Sequence, residues 1–129
     1  MMNDTLAVAL SAVNNYDRSG KKVIVINPSS KVIKDVLKIF NEQGFIGSFE
    51  KVSDSKGGFL RLNLLGNINK CGVIKPRFAV KSDEFEKFEK RYLPAKGVGI
   101  LIVSTNKGLM THHEALDKRI GGRLIAYCY

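Results

Sequence analysis

The sequence predicts an α+β protein with two small domains, an N-terminal αβαββ unit at 1–66 and a C-terminal, mostly β domain with short helices at 67–129. Three observations favour this fold class. Apolar residues at helical spacing alternate with short β-branched runs in the first half, and short apolar runs dominate the second half. Gly and Asn cluster between the two halves, at 66–72. With 129 residues and 44% hydrophobic content, the chain is long enough to bury a core.

The N-terminal unit is predicted from helical periodicity and capping residues. The first helix buries apolar residues at i, i+4 and i+7 from Leu6, and the second buries one apolar side opposite three lysines. The helix ends are predicted at Asn3 or Asp4 and Gly20 for the first helix, and at Ser29 or Ser30 and Gly44 for the second. The core side of the second helix is predicted to comprise Val32, Ile33, Val36, Leu37, Ile39 and Phe40. The strands are predicted at 22–27, 45–53 and 59–65, the last two joined by a hairpin loop.

The C-terminal domain is predicted to contain three strands and two short helices. A strand over 73–80 is interrupted by Pro76, which cannot donate a hydrogen bond to a neighbouring strand. The run 100–103 is too short for an amphipathic helix and rich in β-branched residues, which predicts a central strand covered on both faces. The other predicted elements are a helix capped by Ser82 that reaches residue 92, a helix that begins with the capping box of Thr111 and Glu114, and a strand at 123–129.

The charge balance indicates a polyanionic partner. Lys and Arg number 21 and Asp and Glu number 12, which gives a formal net charge of +9 and a pI near 9.7. Residues 67–129 hold twelve of the basic and six of the acidic residues, and four of those acids lie at 83–89. This segregation predicts one basic face and a small acidic face, with most of the nucleic-acid contact in the C-terminal half. Lys70, Lys75 and Arg77, with no acid between them, belong to the predicted basic face.

Other partner classes and cofactors are not expected. No apolar run approaches the roughly 20 residues of a membrane-spanning helix, and the acidic start of the chain does not resemble a secretory leader. We therefore expect a cytoplasmic protein without a membrane partner. Cys71 and Cys128 lack the spacing of a zinc site or a disulfide framework. His112 and His113 are adjacent on a predicted helix and point in different directions, so we expect neither a metal nor another cofactor.

The most informative motif is the polar turn Ser104–Gly108, which follows the buried strand. This turn carries two short hydroxyls, an amide and a cation at the end of a rigid strand. Such groups suit contact with RNA, because small polar side chains enter a narrow groove or reach a ribose 2′-hydroxyl. Ser104 and Thr105 are also able to hydrogen-bond their own turn, and this alternative stays open. Three further candidates for RNA contact have a structural alternative: Gly121 and Gly122 as a sharp reversal, Ser30 and Lys31 as a helix start, and Tyr127 as a core ring.

Several motifs resemble one known family. The run 99–115, followed by Gly-Gly-Arg-Leu-Ile-Ala-Tyr at 121–127, is similar to the C-terminal signature of the small-subunit ribosomal protein S8 family. The runs 69–78 and 44–50 resemble its archaeal and eukaryotic branch, and the resemblance covers essentially the whole chain. It implies a structural ribosomal protein rather than an enzyme, which binds a helix in the central domain of small-subunit rRNA and supports subunit assembly. The implied partners are this rRNA and neighbouring small-subunit ribosomal proteins, and we expect a monomer when the protein is free.

The resemblance also implies site residues. It assigns the C-terminal RNA contact to Ser104 and Thr105, with Asn106, Lys107 and Gly108 beside them. The bacterial branch commonly carries Ser or Pro at the position of Asn106, and the backbone turn should survive that change. The N-terminal contacts are assigned to Asp4, Thr5, Asn14, Asn15, Ser30 and Lys31. The remaining candidates for RNA binding are Lys70, Lys75, Arg77, Gly121, Gly122 and Tyr127.

Two other functions stay open on sequence grounds. One is a small RNA-acting enzyme with Ser104 as nucleophile and His112 or His113 as base, although the chain lacks the small-residue elbow that exposes a nucleophilic Ser. The other is repression of translation, in which the protein recognises a mimic of its ribosomal site in its own messenger, as the family sometimes does.

Overall fold

Four helices and eight strands follow one another along the residues that the computed structural model describes, which are 5–26, 31–52, 59–75, 77–95 and 97–129. The helices and the two antiparallel sheets confirm the predicted α+β class. The chain divides into two compact units, Met1–Cys71 and Gly72–Tyr129. The domain boundary predicted between residues 66 and 67 stays a prediction.

The N-terminal unit has the predicted order αβαββ. Its elements are α1 (Thr5–Arg18), β1 (Val23–Ile26), α2 (Lys31–Glu42), β2 (Ile46–Val52) and β3 (Phe59–Leu64). The strands form one antiparallel sheet in the order β1-β3-β2, so β3 is the central strand. The N-caps predicted at Asn3 or Asp4 and at Ser29 or Ser30, and the hairpin loop predicted at 54–58, lie outside the described residues.

Glycine ends both helices of this unit, as predicted. Gly20 and Gly44 have φ angles of 85° and 81°, in the left-handed region that residues with a Cβ atom rarely adopt. The N–H of each glycine donates to the carbonyl three residues earlier, and the N–H of the next residue donates to the carbonyl five residues earlier. This Schellman arrangement satisfies carbonyl groups that the end of a helix leaves unpaired. Each helix therefore ends sharply and packs against the strand that follows it.

The core of the N-terminal unit lies between its helices and one face of its sheet. α2 buries one apolar stripe, which comprises Ile33, Val36, Leu37, Ile39 and Phe40. In β3 alternate residues are buried, because successive side chains of a strand point to opposite faces. The prediction that Val32 belongs to this core is wrong, since its side chain is 40% exposed at the margin of the stripe.

The C-terminal unit is built around a five-stranded sheet. Its elements are β4 (Cys71–Val73), β5 (Ala79–Val80), α3 (Phe85–Tyr92), β6 (Ile100–Thr105), β7 (Gly108–Thr111), α4 (His112–Asp117) and β8 (Gly122–Cys128). The strand order is β4-β8-β6-β7, and β5 also pairs with β8. The first four residues of β6 are buried, which confirms the prediction of a central strand covered on both faces.

The core of the C-terminal unit combines residues of the sheet with residues of helices α3 and α4. Leu101 and Val103 of β6 and Leu124 of β8 belong to one apolar cluster with Phe85 and Phe88 of α3. Ala115 of α4 and Met110 of β7 are buried in the same cluster. The end of β6 is thereby held on a packed layer, which fixes the position of the residues that follow.

Two details of this unit differ from the sequence prediction. The prediction that Ser82 caps α3 is wrong, because the N-cap is Glu84 and a turn precedes the helix. The Glu84 carboxylate accepts the N–H of Lys81 at 3.0 Å across this turn. The strand predicted at 73–80 consists of the short β4 and β5, on either side of Pro76, which itself lies outside the described residues.

The start of α4 agrees with the prediction. Thr111 is its N-cap, and the Thr111 Oγ1 accepts the N–H of Glu114 at 3.2 Å. Strand β7, which leads directly into this cap, was not among the predicted elements.

Candidate nucleic-acid interface

Strands β6 and β7 form a tight hairpin at the predicted polar turn. Thr105 pairs with Gly108, so Asn106 and Lys107 are the two residues of the loop. Both loop residues are exposed, and Gly108 has a φ angle of 106°, which suits a residue without a Cβ atom. Ser104 and Thr105 are thus the last two residues of β6 and not part of the loop.

The hydroxyl of Thr105 closes the hairpin. Its Oγ1 donates to the carbonyl oxygen of Gly108 at 2.8 Å and accepts the N–H of Lys107 at 3.1 Å. The structural alternative considered for this side chain therefore applies to Thr105, because both bonds stay within its own turn.

Ser104 has a different environment. Its side chain is half-buried, and its hydroxyl makes no hydrogen bond with any residue in the described part of the chain. Ser104 lies directly opposite Leu109 of β7 and Arg123 of β8. It therefore presents a small donor and acceptor on a rigid strand next to an exposed cation.

Gly121 and Gly122 are explained by close packing of backbone. A Cβ atom at Gly122 would overlap the carbonyl oxygen of Ser104, and one at Gly121 would overlap the carbonyl oxygen of Val80. Any side chain there would push β8 away from β6 and β5. The two glycines also leave bare backbone at this edge of the sheet.

Tyr127 belongs to a row of aromatic rings. Its ring centroid lies 5.7 Å from that of Tyr92 and 6.3 Å from that of Tyr129, with interplanar angles of 28° and 23°. The guanidinium of Arg91 lies 5.7 Å from the Tyr92 ring. Tyr127 stacks on two protein rings and packs against the apolar cluster, which leaves less ring surface for a nucleobase and favours the alternative of a core ring.

The other predicted site residues are distributed over both units. Lys31, Lys70, Lys75, Arg77 and Asn15 are exposed. Asn14 is half-buried, and its Oδ1 accepts the N–H of Cys71 at 3.3 Å, which gives it a structural role in the N-terminal unit. Asp4 and Ser30 lie outside the described residues, as does the side chain of Thr5.

The sequence of the chain matches one known protein family. The sequence model of the family described as Ribosomal protein S8 matches residues 4–129. The chain belongs to the ribosomal protein S8 family. Members of this family are structural proteins of the small ribosomal subunit that bind rRNA, and they do not form an enzyme family. Family members also contact neighbouring ribosomal proteins in the small subunit.

The histidines of this S8-family protein do not form the arrangement of a hydrolase. His112 is buried, its Nδ1 accepts the N–H of Leu101 at 3.0 Å, and its Nε2 lies 3.5 Å from Glu89 Oε1. Burial and the adjacent His113 lower the pKa of His112 below its ordinary value of 6.5, against the opposing effect of Glu89. Within the described residues, neither histidine hydrogen-bonds Ser104.

The described part of the S8-family protein offers neither a cluster of metal ligands nor a membrane-spanning helix. In the described ranges, no group of three or more His, Cys, Asp or Glu side chains is placed to hold a metal ion. Among the same residues, no helix has the length and the apolar character needed to span a membrane.

Sequence reasoning missed Arg123 as a residue of this region and did not predict the burial of His112. Arg123 pairs with Ser104 only because of the register between β6 and β8, which no local pattern of the sequence reports. His112 is buried although its neighbour His113 is exposed, and the helical period alone did not distinguish them.

Proposed function

We propose that this protein binds an irregular helix in the central domain of small-subunit rRNA through the β6–β7 hairpin and supports assembly of the subunit. The observation that carries this proposal is the Ser104 hydroxyl. It is half-buried, it lies at the end of a strand whose other residues are packed, and the described residues leave its hydrogen-bonding capacity unused. A rigid hydroxyl of this kind suits a ribose 2′-hydroxyl or a base edge in a groove that is too narrow for a longer side chain.

The surroundings of Ser104 support the same proposal. Asn106 and Lys107 extend from the loop into solvent, so an amide and a cation stand beside the hydroxyl. Thr105 contributes by fixing the loop through its two hydrogen bonds. These features together suit recognition of RNA by its shape. The hairpin and the hydroxyl would contact the groove, and the cation would contact a phosphate that sets the position of the protein on the RNA.

The remaining assignments are part of the proposal. The further RNA contacts are Gly108, Gly121, Gly122, Tyr127, Lys70, Lys75, Arg77, Lys31, Asn14, Asn15, Asp4, Thr5 and Ser30. The protein acts in the cytoplasm, within the small subunit, and is monomeric before it joins the ribosome. Its net charge of +9 supports an RNA partner because a polyanion lowers the repulsion among so many cations.

A hydroxyl deletion tests the proposal. The Ser104→Ala variant should bind a transcript of the rRNA central domain roughly five-fold more weakly than the parent, because one hydrogen bond contributes about 1 kcal/mol. The slope of log affinity against log salt concentration should stay unchanged, because no charge is removed. Filter binding over a salt series measures both quantities.

The matched control is Ser82→Ala, which removes another half-buried serine hydroxyl of the same unit, in the acidic segment before α3. It should bind the transcript as the parent does. If Ser104→Ala binds the transcript as tightly as the parent does, the Ser104 side chain is not part of the interface. Equal binding of the parent to the central-domain transcript and to a scrambled RNA of the same length would refute the proposed function as a whole.

A further inference from the structure

A row of residues crosses four strands beside the β6–β7 hairpin. Register places Leu109, Ser104, Arg123 and Ala79 next to one another on β7, β6, β8 and β5. Directly opposite residues of antiparallel strands project to the same face, with Cβ atoms about 4.5–5.5 Å apart. Arg123 is thus a cross-strand neighbour of Ser104, and Arg123 and Ala79 are exposed.

A β-bulge creates this neighbourhood. Between Ile102↔Ala126 and Val103↔Leu124, β8 contains one residue more than β6, which is Ile125. Without the extra residue, the partner of Ser104 would be Leu124, which is fully buried in the apolar cluster. The bulge therefore turns Leu124 into the core and places a cation opposite the hydroxyl.

The guanidinium of Arg123 is available to a ligand. Among the described residues, Arg123 forms no ion pair with a carboxylate. Glu84 is an acidic residue in the lining of the groove beside Arg123, and its carboxylate accepts the backbone N–H of Lys81 at 3.0 Å. Arg123 is therefore an exposed cation without an ion pair among the described residues, although one carboxylate, that of Glu84, shares the groove.

A shallow groove lies next to this guanidinium. It has a volume of about 400 Å³, and its lining includes Lys81, Gly121, Gly122 and Arg123. The two glycines present backbone without side chains, so a ligand is able to approach the sheet closely there. Two cationic side chains above bare backbone are suited to a tetrahedral oxyanion, which a guanidinium fork binds with two parallel hydrogen bonds.

We propose that Arg123 and this groove bind one phosphate of the RNA backbone, adjacent to the nucleotide that Ser104 contacts. The inference rests on the proposed function and adds a phosphate site to it. Direct opposition of Ser104 and Arg123 brings a hydroxyl and a cation within reach of one sugar–phosphate unit. Arg123 supplies affinity and position at this site, and Ser104 supplies the contact to sugar or base.

Charge and geometry at position 123 are tested with two substitutions. Arg123→Gln removes the charge, and Arg123→Lys keeps it. At moderate salt, Arg123→Gln should bind the central-domain transcript about ten-fold more weakly, and its salt slope should be shallower by about 0.9, the value expected for one lost phosphate contact on a duplex. Arg123→Lys should retain the slope of the parent.

Lys87→Gln is the matched control, because Lys87 is also exposed and forms no ion pair within the described residues, but lies on α3 among the acids of 83–89. It should leave the slope unchanged. Melting temperatures of all variants should agree with the parent, since position 123 is exposed.

The outcomes separate this inference from the proposed function. If Arg123→Gln keeps the affinity and slope of the parent while Ser104→Ala weakens binding, the phosphate site is refuted and the proposed function stands. That result would also be the expected one if the groove received an acidic segment of a neighbouring protein. If the parent does not distinguish the transcript from scrambled RNA, both proposals fail.

Discussion

Burial decides the charge state of His112. Its Nδ1 accepts the N–H of Leu101, so the proton of the neutral ring lies on Nε2, which faces Glu89 Oε1 at 3.5 Å. This separation is too long for a good N–H···O bond, and Nε2 has no hydrogen-bond partner in the described residues. A second proton would have to bind Nδ1, where it would break the bond to β6. The neutral ring therefore connects α4 with β6, and protonation would remove this hydrogen bond.

This arrangement predicts that stability decreases in mild acid. The pKa of His112 is lowered in the folded protein from its ordinary value of 6.5, mainly by burial, so the unfolded chain takes up the proton first as the pH falls. The contribution of neutral His112 is complete above pH 6.5 and is lost as the pH falls from there through the folded pKa. The free energy of unfolding should then decrease by up to about 1.4 kcal/mol per pH unit from this group.

Urea unfolding at several pH values from 7.5 to about 5 measures this dependence. In His112→Asn the amide oxygen replaces Nδ1 as acceptor without a titrating group, so the decrease below pH 6.5 should be smaller than in the parent. His113→Gln, at the exposed neighbouring position, should follow the parent. Equal pH dependence of His112→Asn and the parent would contradict the role assigned to His112.

Single residues were predictable from the sequence where their role is local. Gly20 and Gly44 were identified as helix ends because capping depends on a few neighbouring residues. Gly121 and Gly122 were recognised as special, but the reason involves Val80 and the carbonyl of Ser104, which are distant in the sequence. Local rules also failed at Ser82 and Val32, and no local rule reported the neighbours that come from another strand.

At the scale of elements, α1 uses a polar side to hold the segment that follows β3. The Oδ1 of Asp17 accepts the N–H of Gly66 at 2.9 Å, and its Oδ2 accepts the N–H of Ile68 at 3.2 Å. Asn14, one turn earlier on the helix, accepts the N–H of Cys71. Asp17 is buried, with 6% exposure, so its carboxylate obtains hydrogen bonds from this backbone in place of water.

Asp17→Asn should therefore destabilise the N-terminal unit. The amide keeps one acceptor oxygen, but its NH₂ group faces an N–H donor, so one bond is lost and the charge assistance of the other disappears. The expected decrease in the free energy of unfolding is about 2 kcal/mol, read from the urea midpoint at unchanged slope. Asp83→Asn, at an exposed position, is the control and should change stability by less than about 0.5 kcal/mol. A midpoint equal to that of the parent would show that water replaces these bonds without cost.

The elements themselves were predictable to different degrees. α1, α2 and the first three strands were placed within a few residues, since periodicity and capping are strong there. β7 was missed because Gly-Leu-Met-Thr is too short to show alternation, and it forms by pairing with β6. The assignment of Ser104 and Thr105 to a turn, and not to the end of β6, has the same cause.

At the scale of the whole molecule, the apolar patterns indicated the α+β class, the charge balance indicated a polyanionic partner, and the match over residues 4–129 established the family. Neither composition nor motif specified which side chains meet across the sheet. The bulge at Ile125 shifts the register by one residue and so selects Arg123, not Leu124, as the neighbour of Ser104. The candidate site is therefore partly a product of tertiary structure.

The charge of the whole chain leads to a last prediction. If at least four exposed cations of the C-terminal unit, such as Lys75, Arg77, Lys107 and Arg123, each neutralise one phosphate, the slope of log affinity against log salt should be about −3.6 or steeper. A four-fold rise in salt should then weaken binding of the central-domain transcript roughly 100-fold. Lys87→Gln should leave this slope unchanged, because Lys87 lies on α3 among the acids of 83–89 and so on the acidic face. A parent slope near zero would mean that phosphate neutralisation contributes little, and that hydroxyl and shape contacts alone hold the RNA.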